Sequence, residues 1–433
     1  MDPLHFVWRR FVWPFLRQIR SNHNAKKASN NYGKLLAGCP MVKSASIKVA
    51  FLVNESSKWK YEALFSMLAD DQRYSPIVLL TCADIDWQLN REERQAKLDS
   101  NKAFFGRRGF RCELAYDGQK DTAISLKKFH PDVVFYQHPW EISPCQSPLA
   151  VSKYALTFYV PYFLPTYGIP ELECRQDFHR NLFCHVVLNK DWVHYYAKYL
   201  GRDIYSGKLM PLGHPMLDVY WQMAHKKKVL EADRWVIYAP HWSIPHPKNT
   251  NALNLSTFME TGRPMLEYAL RHPEIKWLFK PHPTLRTVLY KILPRQEVDD
   301  YYAQWERLGK VCYNGDYVEL FFESQALITD CDSFLIEYVF SGNPIIHLKH
   351  DGYNVESRSP FVELFETYYK VYTADELEST IDYVVIKQND PNKQRRLELM
   401  KSLELCRNDC SSKIVKYLNS IFFNDVNLEK LEH

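Results

Sequence analysis

The sequence predicts an α/β protein of two domains, each built around a doubly wound parallel sheet. Three observations lead to this prediction. The chain has 433 residues, more than one hydrophobic core usually serves. Short apolar runs alternate with helix-like segments in two successive series. Hydrophobic residues make up 46% of the chain and aromatic residues 15%, so two cores can be filled and long disordered stretches are not expected.

Residues 1–43 are predicted to be a basic, aromatic segment followed by a polar linker over residues 21–43. In residues 4–20, tryptophan, phenylalanine and aliphatic side chains alternate with arginines. This stretch is too short and too charged to cross a bilayer, and it lacks a signal-peptide cleavage site. Tryptophan with arginine is typical of a helix lying at an anionic membrane surface, although Pro14 is expected to kink or break it. Contact of residues 4–20 with the inner membrane surface is one interpretation, and packing on the protein itself is the other.

The first Rossmann-like domain is predicted over residues 44–225, where apolar runs are typical of buried parallel strands. The predicted strands are Ile47–Val53, Pro76–Cys82, Val133–Gln137, Ala155–Tyr162, Val186–Asn189 and Lys208–Gly213, with helices at Trp59–Asp70 and Trp192–Leu200. We expect this domain to bind the acceptor of any transfer reaction.

The second Rossmann-like domain is predicted over residues 226–375, and a helical tail over residues 376–433. Its predicted strands are Trp235–Ala239, Lys276–Lys280, Lys310–Tyr313, Ala326–Thr329 and Pro344–Leu348, with helices at Pro264–Arg271 and Ser333–Ser341. Ligands of such sheets bind outside the carboxyl ends of the strands. We therefore expect the two domains to face a cleft that contains the site.

Composition and missing motifs exclude several classes of function. The net charge of +4 is low for a nucleic-acid-binding protein. The 10 cysteines form no CxxC pair and no zinc-like group, which suits a reducing cytoplasm. The sequence has no Walker A loop, no GxSxG, no HExxH and no GxGxxG after the first strand. Most kinases, serine hydrolases and classical dehydrogenases are thereby excluded.

Two polar motifs follow strands of the second domain. Pro240 and His241 come directly after the first strand of that domain, and Lys280 and His282 directly after the second. The prolines beside Lys280 and His282 fix the backbone, so a lysine and a histidine held in place suit a diphosphate whose charge grows during transfer. The alternative for each motif is an ordinary turn.

A third motif runs from Asp330 to Glu337. Asp332 or Ser333 is predicted to cap the following helix, whose free N–H groups, with the Ser333 hydroxyl, bind phosphate oxygens. Glu337, one turn further, is a candidate acceptor for ribose hydroxyls. Asp330 and Asp332 also match the DxD pattern of metal-dependent sugar transferases, but at a capping position a structural or ribose-binding role is preferred and no metal cofactor is expected. Capping without a ligand is a further alternative.

The first domain offers candidates for proton transfer. His138 follows a predicted strand and is a candidate general base, because an unperturbed histidine titrates near neutral pH. Glu141 is the alternative base. Gly213 permits a tight turn, and the neighbouring His214 is a candidate for diphosphate contact. The alternatives are a histidine without a proton role and a plain hinge turn.

Taken in order, these motifs resemble those of the CDP-glycerol glycerophosphotransferase family, the teichoic-acid-type primases and polymerases. The resemblance covers about residues 130–350. Tyr238–His241 resembles the family's Tyr-Ala-Pro-Thr block, and Lys280–His282 its basic-x-His block. Asp330–Glu337 with Pro344–Ile346 resembles the Thr-Asp-x-Ser-Ser…Asp…Pro-Ile-Ile block, and Gly213–Asp218 the Gly-x-Pro-Arg-x-Asp block.

The resemblance implies a GT-B fold and a CDP-glycerol or CDP-ribitol donor. An acceptor hydroxyl would attack the β-phosphate of the donor, and CMP would leave. The positions that fall where the family binds its donor are Pro240, His241, Lys280, His282, Asp332, Ser333 and Glu337, and His138 falls near the proposed base.

The chain departs from the family pattern at several positions. Gln137-His138-Pro139-Trp140 stands where the family has Trp-His-Gly-Thr. Met216 replaces an arginine that clamps a phosphate, which leaves His214 as its possible substitute, and Asp332 replaces the first serine of the Ser-Ser pair.

Three functions are compatible with the sequence. The preferred one is an alditol-phosphate transferase of the cytoplasm or its membrane face, acting on a glycan or lipid-linked acceptor for a teichoic acid, capsule or other surface polysaccharide. The second is a GT-B glycosyltransferase that uses a UDP- or CMP-linked sugar. The third is a non-catalytic scaffold on a degenerate transferase fold.

Overall fold

A computed structural model describes residues 13–38, 46–82, 89–140, 142–164, 174, 176–200, 207–226, 234–246, 254–313, 317–350 and 359–423. The described residues divide into two compact units. Unit 1 lies within Met1–Phe163, Pro170–Asp218 and Asn408–His433, and unit 2 within Leu164–Ile169 and Val219–Arg407. The division after residue 218 differs from the boundary expected after residue 225. It also divides the predicted tail, whose last helix belongs to unit 1.

Unit 1 contains a seven-stranded sheet of order β3-β2-β1-β6-β7-β8-β9, in which neighbouring strands are parallel. Its strands are β1 (Ile47–Val53), β2 (Tyr74–Leu80), β3 (Cys112–Leu114), β6 (Val133–Tyr136), β7 (Leu156–Tyr159), β8 (Cys184–Val186) and β9 (Leu209–Met210), and a separate antiparallel pair is formed by β4 (Tyr116–Asp117) and β5 (Thr122–Ala123). Alternate residues of β1 enter two different cores, with Val49 and Phe51 on one face and Ala50 and Leu52 on the other. Such two-sided burial explains why the strands have near-continuous apolar sequences.

The helices of the first part of the chain are α1 (Trp13–Ala37), α2 (Glu62–Asp70), α3 (Arg91–Arg107), α4 (Pro148–Val151), α5 (Gln176–His179), α6 (Lys190–Leu200) and α7 (Pro215–His225). Helix α3 begins with a capping box, in which Asn90 accepts from the N–H of Glu93 and Glu93 accepts from the N–H of Asn90. Helix α7 passes from unit 1 to unit 2.

Helix α1 corrects the linker expected over residues 21–43. Ala25, Ala28 and Tyr32 are spaced so that they share one helix face, and all three are buried. The Tyr32 hydroxyl donates to the Asn181 carbonyl (2.7 Å) and lies 2.6 Å from Thr157 Oγ1. A helix was not predicted here because the segment is mostly polar and its apolar face is narrow, with Ala25, Ala28 and Tyr32 buried on it. Pro14 lies in the first turn of the described helix, where proline is tolerated. Residues 4–12, on the other side of the expected break, lie outside the described residues.

Unit 2 contains a six-stranded sheet of order β12-β11-β10-β13-β14-β15, again with parallel neighbours. Its strands are β10 (Trp235–Ala239), β11 (Trp277–Phe279), β12 (Lys310–Val311), β13 (Ser324–Thr329), β14 (Ile345–Leu348) and β15 (Tyr369–Val371). Its helices are α8 (Phe258–Arg271), α9 (Leu285–Ile292), α10 (Arg295–Leu308), α11 (Val318–Phe322), α12 (Asp332–Tyr338), α13 (Val362–Phe365), α14 (Ala374–Ile381) and α15 (Lys393–Ser402). A π-helical stretch, Asp382–Ile386, continues α14.

The last described helix, α16 (Cys410–Phe422), is held in unit 1 by Asp218. The two carboxylate oxygens of Asp218 accept from the N–H groups of Cys410 (3.0 Å) and Ser411 (2.7 Å). Ile414 and Leu418 of the same helix are buried in a core of unit 1. None of the described helices has the length and apolar character needed to cross a membrane.

Each strand predicted from an apolar run is present, with ends that differ by a few residues. Strands β3, β4, β5 and β15 were not predicted, because they are short and lie at sheet edges or in the separate pair. Helix α8 begins at Phe258 rather than at the predicted Pro264, which lies inside it.

Candidate active site

The polar motifs of unit 2 meet at one edge of its sheet. Strands β11, β10, β13 and β14 are consecutive neighbours and parallel, so their carboxyl ends lie side by side. Lys280, Pro240, Asp330 and Lys349 directly follow these four strands. The alternation of strand and helix therefore brings four separate segments of the sequence to a common edge, and the segments with Pro240, Lys280 and Asp330 were predicted there.

His241 is a buried, neutral histidine with a defined tautomer. Its Nδ1 accepts from the N–H of Ser243 (3.2 Å) and lies 2.8 Å from Ser243 Oγ. Because that N–H is a fixed donor, Nδ1 is unprotonated and the ring proton is on Nε2. Burial, and secondarily the charge of His282, holds the pKa of His241 well below its ordinary value.

His282 lies beside His241 and has the same tautomer. The two ring centroids are 5.1 Å apart. Nδ1 of His282 accepts from the N–H of Thr284 (3.1 Å). The main-chain N–H of His282 donates to the Pro240 carbonyl (3.0 Å). This bond to Pro240 joins the loops after β10 and β11. Two imidazole rings with Nε2–H donors are thus held next to each other by main-chain contacts.

Lys280 is buried among aromatic rings. Its Nζ lies 4.8 Å from the ring centroid of Tyr317 and 5.4 Å from that of Phe334. Both distances fall within the range of cation–π attraction. Lys280 is thus enclosed by other side chains, and the faces of the two aromatic rings help to stabilise its charge.

Asp330 is a buried carboxylate that connects the loop of His241 to Thr257. Oδ1 accepts from the N–H of His241 (2.5 Å), and Oδ2 accepts from the N–H (2.7 Å) and hydroxyl (3.2 Å) of Thr257. Burial raises the pKa of this carboxyl to about 6, although its hydrogen bonds favour ionisation. Both oxygens of Asp330, a predicted donor-binding residue, thus bind protein groups.

The predicted helix caps, Asp332 and Ser333, are wrong. Helix α12 begins at Asp332, and its N-cap residue is Cys331, whose side chain makes no capping hydrogen bond. The extended backbone of Cys331 (φ −93°, ψ 106°) moves the helix start by one residue. Asp332 is buried, whereas Ser333 is partly exposed with its Oγ 3.4 Å from Cys331 Sγ.

Glu337 binds two phenols. Its Oε2 accepts from the hydroxyls of Tyr220 (2.7 Å) and Tyr317 (2.6 Å), and the side chain is buried. Burial, followed by the charge of Glu337, raises the pKa of Tyr220 well above its ordinary value. Since Tyr317 also contacts Lys280, the carboxylate predicted to bind ribose is part of a buried Tyr–Glu–Tyr cluster beside the lysine.

His214 has a structural environment that the sequence did not indicate. Its Nε2–H donates to the Pro161 carbonyl (2.6 Å), and its Nδ1 accepts from the N–H of Met216 (3.1 Å). Gly213 before it has φ of 88°, a conformation that favours glycine. The predicted diphosphate contact is replaced by a turn in which both ring nitrogens bind the backbone of unit 1.

His138 follows β6 at the carboxyl edge of the unit 1 sheet. Its Nδ1–H donates to the carbonyl of Trp140, which leaves Nε2 as the proton acceptor. Burial, and then the charge of Lys58, lowers the pKa of His138 to about 3. The ring is therefore neutral over the physiological range. Glu141, the alternative base, lies outside the described residues.

Two features of these edges were missed by sequence reasoning. Lys349 is buried directly after β14, and its charge contributes, after burial, to the lowering of the pKa of His347 to about 3. In unit 1, the partly exposed Tyr162 and Phe163 after β7 contact Trp140. The signal for Lys349 was a charged residue immediately after an apolar run. The signal for Tyr162 and Phe163 was a pair of aromatic residues at the end of the predicted strand Ala155–Tyr162.

The described residues do not meet the requirements of a metal site. Within the described ranges, no three His, Cys, Asp or Glu side chains are grouped in a way that could hold a metal ion.

Known proteins resemble this chain in sequence and in fold. A family model for CDP-glycerol:poly(glycerophosphate) glycerophosphotransferase matches residues 199–419. No curated protein matches the sequence.

Among solved structures, a UDP-N-acetylglucosamine 2-epimerase from Listeria monocytogenes is 15% identical, with a TM-score of 0.57 and coverage of 88% of this chain and 98% of that one. The S. aureus MnaA-UDP co-structure is 15% identical, with a TM-score of 0.54 over 88% and 98% of the two chains. The wall teichoic acid polymerase TagF is 14% identical, with a TM-score of 0.49 over 98% and 100%. The similarities to the Listeria monocytogenes and MnaA structures support the predicted GT-B-like α/β fold.

Proposed function

The chain belongs to the CDP-glycerol:poly(glycerophosphate) glycerophosphotransferase family and is therefore a transferase, and we propose that it moves glycerol phosphate, or a similar alditol phosphate, to a glycan or lipid-linked acceptor. In this proposal the donor is CDP-glycerol or CDP-ribitol, and CMP is released. The acceptor belongs to a cell-surface polysaccharide such as a teichoic acid or capsule.

The pairing of His241 and His282 is the observation that carries this proposal. Their rings are 5.1 Å apart, and each has its Nδ1 bound to a main-chain N–H, so both present an Nε2–H donor. Fixed donors of this kind suit the oxygens of a diphosphate, because they stabilise negative charge without reorganising during the reaction. Asp330 and Pro240 hold the two loops in place through the bonds described above.

The reaction balances as a single displacement at phosphorus. The acceptor oxygen forms a bond to the β-phosphorus of the donor, while the bond from that phosphorus to the bridging oxygen breaks. The bridging oxygen leaves with the electron pair as part of CMP, where His241 and His282 donate hydrogen bonds to the growing charge. The acceptor hydroxyl proton goes to Nε2 of His138.

His138 needs help from the substrate to act as a base. Its pKa of about 3 gives a proton acceptor that is always neutral but intrinsically weak. A negatively charged group of a substrate bound beside the imidazole would raise this pKa, because an anion nearby favours the imidazolium. In the proposal, His138 is therefore a stronger base with substrate bound than in the free protein.

We also propose that the protein works at the inner face of the cell membrane through its N-terminal segment. Residues 1–12 lie outside the described part, but α1 supports the proposal. Arg20, Lys26, Lys27 and Lys34 are exposed on it, and the helix contains no acidic residue. Ile19 is 49% exposed among these cations. Basic residues interspersed with apolar side chains favour an anionic lipid surface.

The donor assignment is tested by thermal stabilisation of the full chain. The panel is CMP, CDP, CDP-glycerol, CDP-ribitol, UDP and UDP-linked sugars, since a ligand that binds only the folded protein raises its Tm. We expect cytidine compounds to raise Tm, His282→Ala to remove the effect, and CMP to appear when CDP-glycerol and acceptor are combined. Stabilisation by UDP compounds alone would support a UDP-sugar glycosyltransferase instead, and no stabilisation would support the scaffold.

Membrane contact is tested by sedimentation with vesicles of phosphatidylglycerol and phosphatidylcholine. Binding should increase with the anionic fraction and decrease with salt. A chain lacking residues 1–12 should bind less. Equal sedimentation with neutral and anionic vesicles contradicts the proposal.

A further inference from the structure

Three aromatic side chains form a partly exposed patch at the carboxyl edge of the unit 1 sheet. Trp140, Tyr162 and Phe163 make up this patch, which we call the aromatic platform. The ring of Trp140 stacks on that of Phe163 (6.2 Å, 23°) and meets that of Tyr162 edge to face (6.4 Å, 85°). The rings of Tyr162 and Phe163 are 5.0 Å apart. Each of the three side chains is neither buried nor fully exposed, so ring surface is available to a ligand.

The platform is fixed to two neighbouring strands. Trp140 follows β6, whereas Tyr162 and Phe163 follow β7, and these strands are parallel partners. The N–H of Tyr162 donates to the carbonyl of Gln137 (2.8 Å), which ties the two loops together. Rings anchored in this way lose little freedom when a flat ligand binds, and binding therefore costs less entropy.

The platform adjoins the proposed base. The ring of His138 lies 6.0 Å from that of Trp140, with only 28° between their planes. The carbonyl of Trp140 accepts the Nδ1 proton of His138 and so keeps Nε2 unprotonated. A ligand resting on the platform thus lies beside the nitrogen that would accept a hydroxyl proton.

The lysine that contacts the platform, Lys58, is paired with a carboxylate. Nζ of Lys58 lies 5.4 Å from the ring centroid of Tyr162 and 3.2 Å from Glu55 Oε2. A chain of phosphodiesters would be favoured by cations that are not already paired with carboxylates. The combination of aromatic faces with a lysine already paired with Glu55 instead suits an uncharged ring that carries hydroxyl groups.

We propose that the aromatic platform binds a pyranose ring of the acceptor, with the C–H face of the sugar against the rings of Trp140 and its neighbours. The negative face of an aromatic ring attracts polarised C–H groups, and the sugar hydroxyls remain free to reach His138. This inference rests on the proposed function, in which His138 deprotonates the acceptor. The group that receives the alditol phosphate is then a sugar hydroxyl, rather than the end of a glycerol phosphate chain.

Binding of a sugar is measured first without any donor. Saturation-transfer NMR with an octyl N-acetylhexosaminide should show transfer from protein aromatic protons to the sugar ring protons. Trp140→Ala should weaken binding about tenfold, which corresponds to about 1.4 kcal/mol for the lost aromatic contact, and Trp140→Phe should retain most of the binding. Tyr383→Ala, a surface change in unit 2, serves as the matched control.

Transfer is measured next with CDP-glycerol and two acceptors, the octyl glycoside and an octyl glycerol phosphate. Trp140→Ala should raise KM for the glycoside about tenfold, while stabilisation of the protein by CDP stays unchanged. An unchanged KM in a folded Trp140→Ala protein, or a preference for the glycerol phosphate acceptor, overturns the inference. Loss of the CDP effect in the same variant also overturns it, because the platform would then bind the nucleotide. If the glycoside binds through Trp140 but no CMP is ever released, the platform stands and the proposed transferase reaction fails.

Discussion

The main-chain N–H of His241 donates to Asp330 Oδ1 over 2.5 Å, and this bond joins the end of β10 to the end of β13. The other oxygen of Asp330 accepts two bonds from Thr257, at the start of α8. A single buried carboxylate therefore positions both the histidine loop and a helix. Its two oxygens are both engaged by protein donors, so this carboxylate helps to position the residues of the candidate site.

Replacing Asp330 by alanine leaves three buried donors without their acceptor. We expect Asp330→Ala to lower the free energy of unfolding by about 3 kcal/mol, because buried polar groups that lose a partner retain their desolvation penalty. The donor KM should rise as well, since the His241 loop loses its anchor. Urea unfolding followed by circular dichroism measures the first effect and CMP release the second. Asp375→Ala, on the exposed first turn of α14, is the control, and equal stability of both variants contradicts the role given to Asp330.

The stability of the wild type relative to Asp330→Asn should depend on pH. Burial raises the pKa of Asp330 to about 6, so between its ordinary value near 4 and 6 the folded protein binds a proton that the unfolded chain does not. Folding is therefore favoured more as the pH falls through this window. We expect the wild type to gain stability relative to Asp330→Asn between pH 7 and 4, as measured by urea unfolding at each pH. A difference that is flat, or that shrinks on acidification, contradicts the raised pKa.

His282 should matter for the donor and not for the fold. It is only partly buried, and its Nε2–H is one of the two donors assigned to the diphosphate. We expect His282→Ala to lower kcat/KM for CDP-glycerol about 100-fold, the usual effect of losing a preorganised donor. The exposed His194, whose Nδ1 contacts the Lys190 carbonyl, provides the control His194→Ala. Loss of activity in both variants would point to a general effect on folding.

His138 should give an unusual pH profile. Because its pKa is lowered to about 3, its protonation cannot produce an acid limb of kcat/KM near pH 6.5, the ordinary value for histidine. The charge of Lys58 contributes to this lowering, so Lys58→Ala should move the limb to higher pH, whereas His138→Ala should abolish transfer. The measurement is CMP release between pH 4 and 9. A wild-type limb at pH 6.5 that is unaffected by Lys58→Ala contradicts the assignment.

Sequence reasoning located the strand ends well, because a strand buried on both faces leaves an apolar run whose end is easy to read. The residues after β6, β10, β11 and β13 were found for this reason. Their partners were not predictable, since the bond from Asp330 spans 89 residues to His241 and depends on how two loops fold. The same limit explains why Lys280 was assigned to phosphate alone, with no sign of the rings of Tyr317 and Phe334 beside it.

Residues outside regular strands were harder to predict from the sequence. The cap of α12 fell on Cys331, a residue with low capping preference, because the exit of β13 sets the backbone there. The aromatic platform was missed because more than twenty residues separate Trp140 from Tyr162 and Phe163, and all three belong to loops. Such groups are assembled by tertiary contacts, which leave no periodic signal in the sequence.

The helix that replaced the predicted linker gives the last prediction. Tyr32 carries the polar contact of α1 with unit 1, through bonds to the Asn181 carbonyl and Thr157 Oγ1. Tyr32→Phe keeps the packed ring but removes the hydroxyl, and we expect it to lower the free energy of unfolding by about 1–2 kcal/mol. Lys26→Ala, on the exposed face of the same helix, should change it by less than about 0.5 kcal/mol. If urea unfolding finds the two variants equally stable, then α1 does not contribute to the stability of unit 1, and the polar segment behaves as the linker that its composition suggested.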